Sequence, residues 1–386
     1  MFSRRPSLPE LPRADFRRRF LPALIAFGIH AGNWRALAFL TLLLAASPLS
    51  APVAGTAQDA AQAALEPHAV ILIYHRFGED DVPVTNIRVD QFAEHLRILK
   101  EGGYHVLPLT AVVAALRARQ SLPDRTVAIT VDDAWRSFAE VGWPMLKQAG
   151  FPVTLFVSTD AADRGGHRLL DWNDIRRLHR EGVALGHHGA AHLHMIAEGV
   201  ESSRADLERA DARWRAEFGA VPKVFAYPYG EYDPTLIELA KKRGFVAALA
   251  QFSSVASPAE DLFALPRFAF NEHYGDPARF RLVSQALALP VAKIRPSDPV
   301  LGREANPPRF GFSLTRPVAG WQQVACYASA TGRAEVILLK EERRVEVRLP
   351  APFPPGRQRI NCTLPAGGGR WFWFGRFFYV PGGPLD

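Results

Sequence analysis

Cysteine is nearly missing from this 386-residue chain: Cys326 and Cys362 are the only two, and both lie in the last quarter. That excludes a small scaffold knit together by disulfides. Two late thiols can form one cross-link between strands in an oxidising compartment, or stay buried and free. Acidic residues are scarce in a different place. Before position 58 there are only Glu10 and Asp15, against Arg4, Arg5, Arg13, Arg17, Arg18, Arg19 and Arg35. Of the formal charge of +7, the first 57 residues therefore hold about +5 and the rest about +2. A basic balance confined to one terminus gives no reason to expect a nucleic-acid partner. Internal repeats are absent, and so is low-complexity sequence beyond the N-terminus.

The arginine-rich start precedes the apolar run "ALAFLTLLLAASPLS" and then small residues, with Gly55 and Ala57 at the −3 and −1 positions of a signal-peptidase site. This reads as an export signal, which places the protein in the periplasm or outside the cell. The other reading is an uncleaved anchor, the one membrane contact then expected, although the run from Ala36 is shorter than the roughly 20 residues that span a bilayer. "RRRFL" at 17–21 matches a twin-arginine signal only faintly.

With 48% hydrophobic residues the remaining chain can bury a sizeable core and holds more than one domain. From "HAVILIYH" to about 290, apolar runs alternate with helical spacing. "AVILIY", "TVAITV", "PVTLFV", "VALG", "KVFAYP" and "FVAALA" read as buried strands of a parallel sheet. The helical stretches between them each end near a glycine. Such alternation predicts a β/α barrel or a doubly wound sheet. The Pro-rich polar stretch "IRPSDPVLGREANPPRFG" reads as a linker. Short alternating strands with Gly/Pro turns follow, predicting a small all-β domain. The expected division is a targeting segment over 1–57, an α/β domain over 58–290, a linker over 291–310 and a β domain over 311–386.

Chemistry gathers at predicted strand ends, where β/α folds carry their sites. "AITVDDAW" runs a buried strand into Asp132 and Asp133. Adjacent carboxylates repel, so a cation on one with the other acting as base accounts for the pair, while a helix N-cap accounts for it too. "LGHHGAAHLHM" puts four histidines in eleven residues. His188 and His192, four apart, face one point in a helix or tight turn, as a transition-metal site requires, with His187 and His194 left as supporting or solvated groups. Asp plus two His leaves a coordination position open for water. "FAYPYGEYD" sets a tight loop whose Tyr227 and Tyr229 could wall a sugar-sized pocket and whose backbone N–H could face an oxyanion; a rigid turn with packed tyrosines is the alternative. "ILIYHRF" delivers His75 at the end of a buried strand.

Taken together, these motifs over roughly residues 68–270 resemble the polysaccharide deacetylase family, the NodB-homology domain of carbohydrate esterase family four. "TVDDA" looks like its Thr-Phe-Asp-Asp-Gly motif, "HGAAH" like His-Ser/Thr-x-x-His, and "AYPYG" like Arg-x-Pro-Tyr-Gly. The resemblance implies a distorted (β/α) barrel. It also implies Asp132 as general base, Asp133, His188 and His192 as ligands of a divalent metal, and an oxyanion donor at the Tyr229 backbone. The donor set suits zinc, and accepts iron, cobalt or nickel. Ala134 and Gly189 depart from the family's glycine and hydroxyl residue. Ala226 stands where many members carry an arginine that orients the base, and Arg267 in "LPRFAF" is the candidate substitute. No Leu-x-His motif, the usual source of the acid, closes the domain. The circularly permuted branch that deacetylates poly-N-acetylglucosamine begins with a strand ending in Tyr-His, so "ILIYH" hands the acid role to His75, with His273 the distal alternative.

The implied activity is metal-dependent removal of N-acetyl groups from a polysaccharide containing N-acetylglucosamine, an exopolysaccharide above cell-wall glycan or chitin-like oligomers. Two other readings stand beside it. The chain could be a catalytically silent glycan-binding protein, since the arginine and hydroxyl are missing from their usual places. Or "RWFWFGRFFYV" in the β domain could be a glycan- or partner-binding surface, although alternating Trp and Phe also form a packed sandwich core.

Overall fold

A computed structural model describes residues 66–383. The expected targeting segment, 1–57, and its signal or anchor lie outside the described residues. Among those described, no helix is long and apolar enough to cross a membrane.

Seven of the eight parallel strands of the sheet that carries the site form one row: β1 (Val70–Tyr74), β2 (Thr126–Val131), β3 (Thr154–Val157), β4 (Ala184–His187), β5 (Val224–Ala226), β6 (Ala247–Leu249) and β7 (Phe268–Ala269); the eighth, the short strand His105–Val106, pairs with β2 off this row. Their spatial order is β7-β1-β2-β3-β4-β5-β6. Most positions in β1, β2 and β3 are buried, as expected of apolar runs covered on both faces. Residues 262–267 bring the two ends of the row together. The Ala250 N–H donates to Leu265 O at 2.9 Å beside β6, and Phe268 pairs with Leu72 of β1 three residues later. The result is the expected barrel, distorted because a short bridge closes it where a full strand would stand.

Helices pack around this sheet: α1 (Val89–Glu101), α2 (Leu109–Ala118), α3 (Trp143–Ala149), α4 (Thr159–Arg164), α5 (Trp172–Arg180), α6 (Met195–Phe218), α7 (Pro234–Lys242) and α8 (Pro277–Ser284). Local chemistry starts several of them. Asp171 caps α5 by accepting from the Asp174 N–H at 2.9 Å, and Asp233 caps α7 by accepting from Leu236 N–H at 2.7 Å, with Pro234 in the first turn.

The C-terminal region is a sandwich of two sheets. One holds β8 (Leu287–Ala288), β11 (Ala325–Ala328), β12 (Gly332–Arg333), β15 (Gly356–Gly367) and β16 (Arg370–Val380); the other holds β9 (Val291–Arg295), β10 (Phe310–Leu314), β13 (Glu335–Leu339) and β14 (Arg344–Arg348). Phe310, Phe312, Val345, Ile360, Phe372, Phe374 and Phe378 meet between the sheets. Cys326 and Cys362 are cross-strand partners in β11 and β15 and are joined as a disulfide.

Two expectations change here. The stretch 291–310 is not a spacer. Val291–Arg295 is a strand, Leu301 N–H donates to Tyr379 O at 2.8 Å, and β8 already pairs with β16 before position 290. Proline and polar content resemble a linker, but Val291 and Leu301 are buried anchors in the sandwich core. Nor is "RWFWFGRFFYV" a free surface. Its Phe372, Phe374 and Phe378 enter the sandwich, while Trp373 packs on Phe268 of the barrel (5.3 Å) and Phe377 on Tyr232 (5.4 Å). Gly375 is needed at this seam, because a Cβ there would lie 2.0 Å from Ser253 O.

Candidate active site

All but one of the predicted site residues stand on the rim where the strands end. His75 follows β1, Asp132 and Asp133 follow β2, His188 and His192 follow β4, and Tyr229 follows β5, while Arg267 lies in the closing segment at the start of β7 and reaches the rim through its side chain. His188 and His192 do not sit in a helix. They flank an irregular loop in which Gly189 (φ 72°) and His192 (φ 57°) take the left-handed conformation, and this bends both imidazoles toward Asp133.

Asp133 Oδ1 is 3.4 Å from His188 Nε2 and 3.2 Å from His192 Nε2. The nitrogens approach at ion-pair distance but not along a hydrogen-bond line, so Oδ1 is buried without a hydrogen-bond partner. Oδ2 accepts from the Trp135 indole N–H at 3.1 Å. His188 Nδ1–H donates to Ala226 O at 2.7 Å, which fixes the tautomer, so that in the neutral imidazole the Nε2 lone pair is the one left facing Asp133. The three donor atoms lie within 4.8 Å of one another. Two imidazole lone pairs and an unpartnered carboxylate oxygen, converging in a buried place, fit a divalent transition metal. Burial pushes the Asp133 carboxyl up, but in the absence of a metal His188 and His192, in their protonated forms, outweigh it and hold it well below the usual carboxylate range.

Asp132 points to the other side of the same rim and is buried with Arg267. The guanidinium donates from Nη1 to Oδ1 and from Nη2 to Oδ2, each at 2.8 Å, and its Nε–H is held by Ala250 O at 2.9 Å. Burial raises the Asp132 carboxyl and Arg267 lowers it, with a net depression, so the group is a carboxylate at neutral pH. His75 is half-buried beside both acids. Desolvation lowers its basicity, and Asp133 and Asp132 pull the other way, leaving it below the ordinary imidazole value. His273 is exposed in the turn after β7.

Tyr229 takes a left-handed backbone (φ 58°), and its ring stacks on His194 at 3.6 Å and meets His192 edge-on at 4.4 Å. Of the eight non-glycine residues with positive φ among those described, four are here: Asp133, Ala134, His192 and Tyr229. Strain of this kind persists where surrounding contacts over-determine it, commonly at functional sites. A cavity of about 280 Å³ opens between Asp133, Trp135, Ser158, Arg164, His192 and Tyr229. A larger groove of about 550 Å³ lies elsewhere, along Arg119, Ser257 and Lys293, and touches none of these groups.

Sequence reasoning missed what holds the histidine loop. Asp206 of α6, buried, accepts from the Ala190 and Ala191 N–H groups at 2.8 and 2.9 Å. From the other side, Thr159 and Asp160 N–H donate to Gly189 and Ala190 O at 3.1 Å each, and Ser158 Oγ donates to His188 O at 2.9 Å. These bonds do the bracing expected of the missing hydroxyl. His187 is fully buried: its Nδ1 accepts from the Gly189 N–H at 3.1 Å, and its Nε2 faces Asp211 at 3.3 Å. The signal for both acids was present. Asp206 and Asp211 fall on the buried stripe of α6 with Leu207, Ala210 and Trp214, where an unpaired acid is costly.

Residues 119–248 match the family model described as polysaccharide deacetylase. The poly-beta-1,6-N-acetyl-D-glucosamine N-deacetylase of Escherichia coli (strain K12) is 24% identical over 241 residues, covering 51% of this chain and 36% of that protein. The protein of the same name from Staphylococcus aureus (strain MSSA476) is 22% identical over 212 residues, covering 52% and 73% respectively. The chain thus spans only about a third of the Escherichia coli relative's length. A Streptococcus pyogenes deacetylase, PplD, solved in complex with acetate, superposes with a TM-score of 0.51 at 22% identity over 55% of this chain and 96% of that one, a likeness of fold.

Proposed function

We propose that the chain carries a polysaccharide deacetylase domain of the NodB type, a hydrolase of N-acetyl amide bonds, and that it removes N-acetyl groups from an exported polymer of N-acetylglucosamine, an exopolysaccharide; the match of residues 119–248 to the polysaccharide deacetylase model and the similarity to poly-beta-1,6-N-acetyl-D-glucosamine N-deacetylases support this reading. The observation that carries this reading is the convergence of Asp133, His188 and His192 beside the ion-paired Asp132. Asp133 Oδ1, His188 Nε2 and His192 Nε2 would hold a divalent cation, which when bound would supply Lewis acidity toward a water and an amide carbonyl. Zinc suits the set, and iron, cobalt and nickel share its preferences.

The protein's own groups do the rest. Asp132, ionised and held in one orientation by Arg267, takes the proton of the attacking water. The peptide N–H of Tyr229 stabilises the oxyanion that the carbonyl oxygen becomes. His75 gives a proton to the departing amine nitrogen; the two carboxylates beside it favour its imidazolium, while desolvation outweighs them and makes it the more acidic donor. Trp135 and Tyr229 wall the cavity with aromatic surface suited to a sugar ring. The arginine-rich N-terminus supports export to the compartment where such polymers lie.

The test uses purified full-length protein, its metal content, and acetate release from β-1,6- and β-1,4-linked N-acetylglucosamine oligomers. The expected result is bound metal and acetate from the β-1,6 series, lost in Asp132→Asn. Preference for the β-1,4 series would move the substrate to chitin-like or cell-wall glycan. Metal-loaded protein that releases acetate from no amino-sugar polymer would overturn the reading and leave a silent glycan binder.

A further inference from the structure

The β15–β16 hairpin runs the length of the barrel. At one end Arg370 pairs with Asp124 at 2.9 Å, just before β2 begins; at the other, Arg357 reaches the loop that follows β5. The sandwich therefore delivers one side chain to the catalytic rim. Arg357 Nη1 donates to Tyr229 O at 3.4 Å, its guanidinium lies 5.4 Å from the centre of the Tyr229 ring, and its Nε is 3.9 Å from Glu231 Oε1. Glu231 is buried, and the same carboxylate faces His194 Nδ1 at 3.2 Å. His194 in turn stacks flat on Tyr229. Glu231 thus ties together the two groups that hold Tyr229, one from the barrel and one from the sandwich.

Tyr229 needs such holding. Its left-handed backbone is strained for a residue with a Cβ and relaxes unless neighbours enforce it. Gly230 secures the far side of the loop, since a Cβ there would meet Gln251 at 2.2 Å. On the near side the carbonyl of Tyr229 is taken by Arg357 and the Gly230 N–H of the same peptide plane by Tyr227 O at 2.9 Å, so the plane after Tyr229 is fixed at both edges; with the ring also held, the φ and ψ that join it to the preceding plane, which carries the Tyr229 N–H, are restrained. We propose that Arg357 is a positioning residue: the β sandwich completes the deacetylase site by holding Tyr229 in the conformation that aims its peptide N–H at the reacting carbonyl. This rests on the deacetylase reading and gives the sandwich a part in the chemistry beyond packing.

The experiment compares full-length wild type with Arg357→Gln and Arg357→Lys. Labelling with 15N-tyrosine reads the Tyr229 amide directly, without turnover, and kinetics are measured alongside metal affinity and melting temperature. In Arg357→Gln the Tyr229 resonance should shift or broaden. Its kcat should fall roughly tenfold, short of the 10²–10³ that outright loss of an oxyanion donor costs, with metal affinity and melting temperature unchanged. Arg357→Lys, which keeps the charge but not the planar fork, should recover only part of the loss. An unmoved Tyr229 resonance, a kcat within twofold of wild type, or a loss matched by equal loss of metal affinity or melting temperature would overturn the proposal. Absence of acetate release by wild type itself counts against the deacetylase reading alone, because the amide resonance still decides the role of Arg357.

Discussion

At the scale of single residues, the Asp132–Arg267 pair is the most exacting feature. Both side chains are almost wholly buried, and each oxygen of the acid has its own donor. Removing one partner leaves a charge in the interior, so Arg267→Met should lose activity and destabilise the fold by roughly 3–5 kcal/mol, read by denaturant unfolding. Arg267 was nameable from sequence only because Ala226 left the expected arginine position empty. That its fork meets both oxygens of Asp132 follows from the bridge that closes the barrel, which no local pattern encodes. His95 makes a second prediction. Burial between α1 and α8 lowers its pKa from 6.5 to about 4; Nδ1 accepts from the Tyr74 hydroxyl, and Nε2–H donates to Gly275 O. The folded protein thus holds His95 neutral where the unfolded chain has already charged it, and the unfolded state binds the extra proton. Stability is unaffected above about pH 6.5, falls as pH drops toward 4, and has lost roughly 3 kcal/mol by then. Denaturation curves from pH 4 to 7 should show this acid limb flattened in His95→Gln relative to wild type.

Among elements, the loop between β4 and α6 decides whether the two histidines are ligands or bystanders. Its peptide groups are caught between the start of α4 and Asp206 on α6, so the loop is braced from two helices at once. Restoring the hydroxyl residue of the family motif should therefore harm the site. At Gly189 the backbone is left-handed, and a Cβ would lie 2.8 Å from Asp206 Oδ2. Gly189→Ser should weaken metal affinity by tenfold or more on the basis of about 1–3 kcal/mol of backbone strain, measured by competition with a chelator. Asp206→Asn should act in the same direction, because its amide nitrogen cannot accept the second of the two N–H bonds. The histidine spacing was legible because two candidate ligands four apart are a local feature. Their brace was not, since it depends on which face of α6 turns inward, although the acids on that apolar stripe were a signal.

For the whole molecule, barrel and sandwich form one compact unit, with β16 buried on both faces. Alternating aromatics in that strand answer to two cores, one on each side. The disulfide closes a separation of 36 residues within the sandwich, which by chain entropy is worth up to about 4 kcal/mol. Replacing Cys326 and Cys362 with alanine should lower the unfolding free energy by roughly 2–4 kcal/mol while metal affinity stays as it is, since the candidate ligands lie in loops at the strand ends of the barrel, away from the sandwich; unfolding and metal titration together check this.

The sequence by itself determined the parallel-strand domain and the β region after it, and it named the candidate residues that gather at the strand ends: His75, Asp132, Asp133, His188, His192 and Tyr229, with Arg267 as the partner of Asp132. Periodicity, turn residues and short motifs are local, and locality is what a sequence displays. Only the tertiary structure decided that Asp133 meets both imidazoles, that Arg267 locks Asp132, that Asp206 replaces a missing hydroxyl, and that Arg357 reaches Tyr229 from another sheet. Each of these joins positions far apart along the chain, and such pairings are set by how the barrel closes and where the sandwich docks.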